Sequence, residues 1–310
     1  MLHYDFIKKK LIFTDSKMLS FLHEIYREQR YLMNISDEML SERLEHLIIN
    51  LIELDFYGGK SLIIKQGKMA SALIDVFEEF NLRNIDYSPL IETVLSRFEK
   101  HAKFMNCSSI LKQLKDCAGE KCLFKYTYKK YLDLLRKGDV RLKLASSYND
   151  DGFNVAIRDD EINIIHQLLN ARIITEDGSE IPIKDDIIIR SAFSDYYVGC
   201  FSVTIDPKIF LTSDYDACLI IKNADIFAQE VIDRYQDNYN NSTILFGPVE
   251  YIDPYIYLKS KNKIEFVKTI YYKYETEFRF VAFDRIWINK EEERKINIDM
   301  KKIDYDIIEK

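Results

Sequence analysis

The spacing of apolar residues changes near residue 118, and this limits the chain to folds that join a helical part to a strand-rich part. Before this point, apolar residues recur on one face of a helix that Ser36 can cap: Leu40, Leu44, Leu47 and Leu51. After it, Val140, Leu142 and Leu144 alternate with polar residues, as in a half-buried strand. We therefore predict an α+β fold, with a helical domain at 1–119 and a second domain at 120–310.

Further elements follow from the same patterns. Helices are predicted over 69–80, from Ser88-Pro89 onward, over 129–137 with a stop at Gly138, and after a cap at Asn223. Strands are predicted at 123–127, 198–205, 217–221, 243–252, 278–283 and 296–298. Polar turns are predicted at 147–152 and around Asp177-Gly178.

The composition favours a folded protein of the cytosol. Hydrophobic residues make up 47% of the chain, and no apolar run approaches the roughly 18 residues that span a bilayer, so we expect no membrane partner. The net charge of −7 argues against a protein that coats nucleic acid. Five cysteines, an odd number, do not suggest a disulfide framework.

Several kinds of site are excluded by missing residues. The segment 58–61 (Gly-Gly-Lys-Ser) is not a phosphate loop, because Leu54 occupies the position of its first glycine. Cys117 and Cys122 lack the further ligands of a structural zinc site, so we expect no metal. No Gly-x-Ser-x-Gly or His-Glu-x-x-His motif is present, and His166 is interpreted as a packed or surface residue.

Glu275 and Glu277 are the candidate catalytic pair. If both belong to the strand that continues through Phe278 and Phe280, their side chains leave on one side, roughly 7 Å apart. Two such carboxylates can stabilise a developing cation, orient a sugar hydroxyl or accept a proton. The same pair can also lie on a solvated strand face without any chemical role.

Short motifs in the second part resemble a bacterial family of unassigned function that occurs in prophage and phage-defence loci. The motifs are Leu-Phe-Lys-Tyr-Thr at 123–127, Tyr-Asn-Asp at 148–150, Cys-Phe-Ser at 200–202, Val249 with Tyr251, and Glu-x-Glu-x-Arg at 275–279. The likeness covers roughly the last 190 residues. One departure is Asp151, where the family has proline.

The same layout is similar to the ADP-ribosyltransferase fold. The resemblance implies that Glu277 is the catalytic glutamate and that Glu275 engages the acceptor. It further implies that NAD is bound by residues on the first and middle strands and near the first turn: Lys125, Tyr126, Thr127, Tyr148, Asn149, Ser202 and Thr204. Lys125 stands where the superfamily has arginine or histidine, which is a second departure.

The resemblance implies an NAD-dependent mono-ADP-ribosyltransferase that modifies a protein or a nucleic acid, as a toxin or a phage-defence effector. Cleavage of the nicotinamide–ribose bond passes through an oxocarbenium-like state that a carboxylate stabilises. The helical part would bind an antitoxin, a sensor or a target. Two alternatives stay open: a non-catalytic binding or regulatory module of a toxin–antitoxin or defence system, and an NAD glycohydrolase.

Overall fold

Three helices predicted in the first part of the chain are present in the computed structural model: α2 Asp37–Leu51, α3 Lys68–Arg83 and α4 Ser88–Ala102. They are preceded by α1 Ser16–Gln29, a helix that the sequence patterns did not specifically predict. The hydroxyl of Ser36 accepts a hydrogen bond from the backbone of Met39, as a helix cap does. The leucines that predicted α2 are all buried: Leu40, Leu44, Leu47 and Leu51.

The structure describes residues 2–5, 10–13, 16–52, 62–64, 68–102, 122–149, 160–168, 172–183, 187–192, 194–213, 215–255, 262–284 and 291–309. Segment 58–61, Cys117 and the pair Asp150-Asp151, which the sequence singled out, lie outside these residues. The first part also contains three strands that the sequence did not predict: β1 Leu2–Asp5, β2 Lys10–Phe13 and β3 Leu62–Ile64. They form an antiparallel sheet in the order β2-β1-β3, and each is too short to show a clear period of two.

Strands dominate the remainder of the chain. They are β4 Leu123–Thr127, β5 Asp139–Leu144, β6 Asn163–Leu168, β7 Arg172–Ile174, β8 Glu180–Pro182, β9 Ile187–Ala192, β10 Tyr197–Ser202, β11 Ala217–Ile221, β12 Ser242–Pro248, β13 Glu250–Ile252, β14 Val267–Thr269, β15 Glu277–Asp284, β16 Glu293–Asn297 and β17 Tyr305–Glu309. The helices among them are α5 Lys129–Arg136, α6 Pro207–Thr212 and α7 Ala224–Asn238.

The largest sheet has the order β12-β15-β10-β4-β11-β17, with β5 paired to β10 and β16. Among the described residues, the strand pairings within it are antiparallel. Every residue of β11 is buried, and Phe227, Val231 and Tyr235 of α7 pack into the same core. The predicted α+β class, helices first and a mostly antiparallel sheet second, is confirmed.

The chain divides into two compact units. Unit 1 comprises Met1–Cys107, Ile165–Ile189 and Asp253–Tyr257, and unit 2 comprises Ser108–Ile164, Arg190–Ile252 and Leu258–Lys310. The boundary predicted between 119 and 120 falls outside the described residues and stays a prediction. Among the described helices, none combines the length and the apolar character needed to cross a membrane.

Gly138 ends α5, as the sequence predicted. Other residues adopt its backbone conformation only at an energetic cost. Its φ is +87°, and its carbonyl accepts a hydrogen bond of 3.0 Å from the amide of Ile298. A Cβ at this position would lie 2.0 Å from the carbonyl oxygen of Ile298. Both the left-handed conformation and the close backbone approach therefore require glycine.

We predict that Gly138→Ala lowers the free energy of unfolding by about 2 to 4 kcal/mol, as strain adds to a backbone clash. Gly178→Ala is the matched control, because Gly178 has φ +84° but nothing within 4 Å of its Cβ direction. The control should lose only about 1 kcal/mol, the cost of the conformation alone. Urea unfolding measures both, and equal losses in the two variants would contradict the packing argument.

A group of polar side chains is buried inside unit 1. Arg43 is fully buried, and its guanidinium donates to both carboxylate oxygens of Asp253 at 2.9 and 2.7 Å. Tyr31 donates to the carboxylate of Asp75 at 3.1 Å. Burial raises the pKa of Asp75 to about 6, although Tyr31 and Arg43 act in the opposite direction.

This raised pKa predicts a pH-dependent stability. The folded state holds the Asp75 proton more tightly than the unfolded chain, so the contribution of Asp75 is complete at low pH and is lost as the pH rises through about 6. Between about pH 5 and about pH 7.5 the free energy of unfolding of the wild type should fall by about 1 kcal/mol. The Asp75→Asn variant should not show this fall. Urea unfolding followed by helical circular dichroism tests this, with the exposed Asp133→Asn as control. Parallel pH profiles for wild type and Asp75→Asn would contradict it.

Candidate functional site

The three segments in which the sequence placed the site lie on neighbouring strands of the large sheet. Lys125 is on β4, Ser202 ends β10 and Glu277 begins β15. In the sheet register, Ser202 is paired with Glu277 on one side and with Phe124 on the other. Since adjacent strands lie about 4.8 Å apart, residues far apart in sequence come within reach of one another.

Six of the nine predicted site residues line one cavity of about 120 Å³: Lys125, Tyr126, Tyr148, Ser202, Glu275 and Glu277. Further lining residues, among them Glu161 and Lys268, were not predicted as site residues. The volume is close to that of an engineered cavity, roughly 150 Å³, that holds one benzene ring. The cavity therefore suits a single planar ring.

The other three predicted residues do not line the cavity. Thr127 is buried at the end of β4, where its carbonyl accepts the amide of Asp216 at 3.3 Å. Asn149 is exposed at the end of the 3₁₀ turn Ala145–Asn149. Thr204 is exposed, and its hydroxyl bonds to that of Thr276 at 2.5 Å. The structure therefore gives these residues no contact with a molecule in the cavity.

A fully buried guanidinium lies behind the cavity. Arg279 donates to Glu277 Oε1 at 2.9 Å, and it forms an ion pair with Glu161 Oε2 at 2.7 Å. A third bond, of 2.9 Å, reaches the carbonyl of Glu265. Burial works against the charge of Arg279, but Glu161 and Glu277 outweigh it and raise the pKa of this residue. The guanidinium thus stays charged and holds Glu277 in one orientation.

Lys268 joins the two candidate catalytic carboxylates. Its Nζ lies 2.9 Å from Glu275 Oε2, 3.2 Å from Glu277 Oε2 and 3.7 Å from Glu161 Oε1. Without a cation between them, two carboxylates this close would repel each other. Three carboxylates against the two cations Lys268 and Arg279 leave this network with one net negative charge.

Glu277 is held as a permanent anion. Its side chain is only 4% exposed, and burial alone would raise its pKa. Arg279 and Lys268 reverse this effect and keep the pKa of Glu277 well below its usual value, with a hydrogen bond from the Cys200 thiol acting in the same direction. A carboxylate that does not take up a proton near neutral pH can stabilise positive charge or accept a hydroxyl hydrogen bond. It is a poor general base.

Lys125 provides a cation at the wall of the cavity. Its Nζ donates to the carbonyl of Cys200 at 2.7 Å and lies 5.1 Å from the centroid of the Phe201 ring. Burial lowers the pKa of the Lys125 ammonium, while Cys200 and Glu277 act in the opposite direction. A half-buried ammonium held by a carbonyl and a ring face is oriented for contact with a polar group in the cavity.

The two predicted tyrosines line the cavity with different surroundings. The hydroxyl of Tyr126 accepts from the amide of Asp206 at 2.9 Å, and its ring packs edge-on against Phe210 with centroids 4.9 Å apart. Burial raises the pKa of Tyr148 well above its usual value, so its phenol stays neutral. Tyr126 is thus part of the rigid wall, whereas Tyr148 offers a neutral aromatic surface.

The backbone between the two glutamates is not the continuous strand that we expected. Glu275 ends the 3₁₀ turn Ile270–Glu275, Thr276 has φ 43° and ψ 52°, and the strand starts only at Glu277. This left-handed conformation is unusual for a β-branched residue. The Thr276 hydroxyl bonds to the hydroxyl of Ser202 at 2.8 Å, and its carbonyl accepts the amide of Val203 at 2.9 Å. The turn, and not strand alternation, directs both carboxylates to Lys268.

Some residues of this site carried a sequence signal and others did not. Arg279 belongs to the Glu-x-Glu-x-Arg motif, so its place beside Glu277 was open to prediction from strand alternation. Glu161 and Lys268 lie in stretches without a recognisable motif, and only the tertiary fold brings them to Arg279 and Glu275. His166 is buried in unit 1 and takes no part in the cavity.

Within the part of the chain that the structure describes, no group of three or more His, Cys, Asp or Glu side chains is arranged to hold a metal ion. Comparison with family models, with curated proteins and with solved structures gave no significant match.

We predict that the Thr276 turn depends on its hydroxyl as well as on its backbone. Thr276→Ala should lose about 1 to 2 kcal/mol of unfolding free energy, because the hydroxyl bonds disappear. Thr276→Gly should be more stable than Thr276→Ala by roughly 1 kcal/mol, since glycine adopts the left-handed conformation without a Cβ penalty. Urea unfolding gives the order, and Thr276→Ala matching the wild type would contradict it.

Proposed function

We propose that the chain is an NAD-dependent mono-ADP-ribosyltransferase that modifies a macromolecule. The single observation that carries the proposal is the convergence of Lys125, Ser202, Glu275 and Glu277 on one cavity, although they span more than half of unit 2 in sequence. The resemblance assigns these same residues to one NAD site.

The size and lining of the cavity support a nicotinamide ring as its occupant. A volume of about 120 Å³ suits one six-membered ring. Aromatic side chains from separate elements, including Tyr126, Tyr148 and Phe201, line it and favour a flat, apolar face.

Glu277 supports the bond-breaking step. In this step the bond between the nicotinamide nitrogen and ribose C1′ breaks, and nicotinamide leaves as a neutral molecule with the electron pair. Positive charge then develops on the ribose. Glu277, ionised and fixed by Arg279, is suited to offset this charge and to accept a hydrogen bond from a ribose hydroxyl. Because the leaving group is neutral, no strong general acid is needed.

Glu275 supports the transfer step. Its side chain is 19% exposed, against 4% for Glu277, so it is the more accessible carboxylate of the pair. The nucleophile of the acceptor forms the new bond to C1′ and gives up a proton. Glu275 is the carboxylate placed to take that proton or to position the nucleophile.

The biological role that we propose follows from the resemblance to proteins of prophage and phage-defence loci. The transferase would act as a toxin or antiviral effector. The helices α1 to α4 would bind an antitoxin or a sensor protein. These partners are proposed on the sequence likeness and on the presence of these four helices in unit 1.

One observation favours a second candidate, a binding or regulatory module without chemistry. Both oxygens of Glu277 already accept bonds, from Arg279 at 2.9 Å and from Lys268 at 3.2 Å. A ribose hydroxyl would have to share or displace one of them. Lys125, in place of the arginine or histidine of the superfamily, points the same way. An NAD glycohydrolase, which uses water as the acceptor, is the third candidate.

We predict that the purified chain releases nicotinamide from NAD⁺ and transfers label from adenine-labelled NAD⁺ to cell extract. Glu277→Gln should reduce nicotinamide release by about 10²–10³-fold, as the loss of a fixed electrostatic partner does. Glu275→Gln should reduce label transfer far more than nicotinamide release. Glu309→Gln, an exposed glutamate outside the cavity, is the matched control and should behave as wild type.

The products separate the three candidates. Free ADP-ribose without labelled acceptor indicates the glycohydrolase, and no consumption of NAD⁺ by the wild type indicates the non-catalytic module. Full activity in Glu277→Gln would overturn the assignment of the catalytic residue. Since Glu277 is part of a buried ion network, the circular dichroism and the melting temperature of each variant are measured alongside.

A further inference from the structure

A second concave feature of unit 2 is strongly basic. Its volume is about 490 Å³, and four cations line it: Arg136, Lys137, Arg234 and Lys301. Asp299 is the carboxylate among the lining residues. We call this feature the basic groove. It stands out because the chain as a whole carries a net charge of −7.

The four cations come from three separate elements that hydrogen bonds hold together. Arg136 and Lys137 end α5, Arg234 is on α7, and Lys301 belongs to the 3₁₀ turn Met300–Lys302. The amide of Ile298 donates to the carbonyl of Gly138 at 3.0 Å, which joins the turn to the end of α5. The tertiary fold therefore collects charges that are distant in sequence.

The carboxylates near the groove do not neutralise it. Asp299 accepts a hydrogen bond of 3.1 Å from the amide of Lys301 and so caps its own turn. Glu230 pairs with Arg234 at 3.1 Å and with Lys302 at 2.9 Å. Asp133 lies 3.6 Å from Arg136 on the exposed side of α5.

Counting these neighbours, five cations face three carboxylates, which leaves an excess of two positive charges. Lys137 and Lys301 are exposed, and within the described chain neither has a carboxylate partner. These two lysines therefore present positive charge that an external anion can neutralise.

Helix stabilisation does not explain the whole cluster. Arg136 and Lys137 offset the partial negative charge at the end of α5, as cations at helix ends commonly do. Arg234 and Lys301 are on other elements, so this effect does not account for them. Their convergence on the same groove concentrates positive charge from three elements at one place.

We infer that the basic groove binds the phosphodiester backbone of a single-stranded nucleic acid. Guanidinium groups match phosphate oxygens in a two-pronged geometry, and lysines add point charges along the strand. A concave surface admits a single strand, whereas a membrane requires a flat or convex basic face. The inference goes beyond the proposed function and stands whether or not the cavity carries out chemistry.

Fluorescence anisotropy with a labelled single-stranded RNA and a DNA of the same sequence tests the groove, in the absence of NAD⁺. Charge reversal in Lys137→Glu/Lys301→Glu should weaken binding at least tenfold and reduce the slope of log affinity against log salt by about 1 to 2. The matched control is Lys129→Glu/Lys295→Glu, which makes the same change in net charge on exposed lysines outside the groove. The control should bind nearly as the wild type does.

Several outcomes would overturn the inference. The first is that the wild type shows no saturable binding of RNA or DNA. The second is that both double variants weaken this binding equally. The third is that polyglutamate or phosphatidylserine vesicles bind as tightly through the same two lysines. Melting curves show whether each variant is folded. Nicotinamide release is measured in parallel, and the groove variant should retain it. A failure of the proposed chemistry is thus distinguishable from a failure of the groove.

Discussion

The arrangement of unit 2 around its cavity depends on one buried charge, the guanidinium of Arg279. A guanidinium with no exposed surface must be paired and hydrogen-bonded, or the folded state is strongly destabilised. Arg279 finds its acceptors on three separate segments: Glu161, Glu265 and Glu277. Only a fold that brings these segments to the middle strands of the sheet satisfies the charge.

The same requirement explains why the cavity contains charged groups at all. Arg279 forms ion pairs with Glu277 and Glu161 and so brings two carboxylates close together. Lys268 reduces the repulsion between them and also pairs with Glu275. Buried ion pairs contribute little net stability, because desolvation offsets their attraction. Here the ion pairs fix the orientation of Glu277. A carboxylate that is ionised and held in one orientation can stabilise a transient cation.

Local sequence patterns predicted the helices α2 to α4 and most strands of the large sheet, but not the short strands β6 to β9 or the turns of the site. The buried strand Ala217–Ile221 and the cap that Asn223 provides for α7 follow from apolar character and from side-chain chemistry. The left-handed conformation of Thr276 does not follow from the local sequence. It is held by contacts with Ser202 and Val203, which are far away in sequence. Glu161 and Lys268 reach the site through tertiary structure alone, and no spacing rule connects them with Arg279.

The composition of unit 1 has a consequence for how the protein is made. After residue 164 the chain returns to this unit twice, with Ile165–Ile189 and with Asp253–Tyr257. The second return places Asp253 against the fully buried Arg43, 210 positions earlier in the chain. During synthesis, the first hundred residues therefore leave the ribosome with a guanidinium whose partner has not yet been translated. Unit 1 is completed only when Asp253–Tyr257 has been translated, and until then the interior of its helices lacks this ion pair.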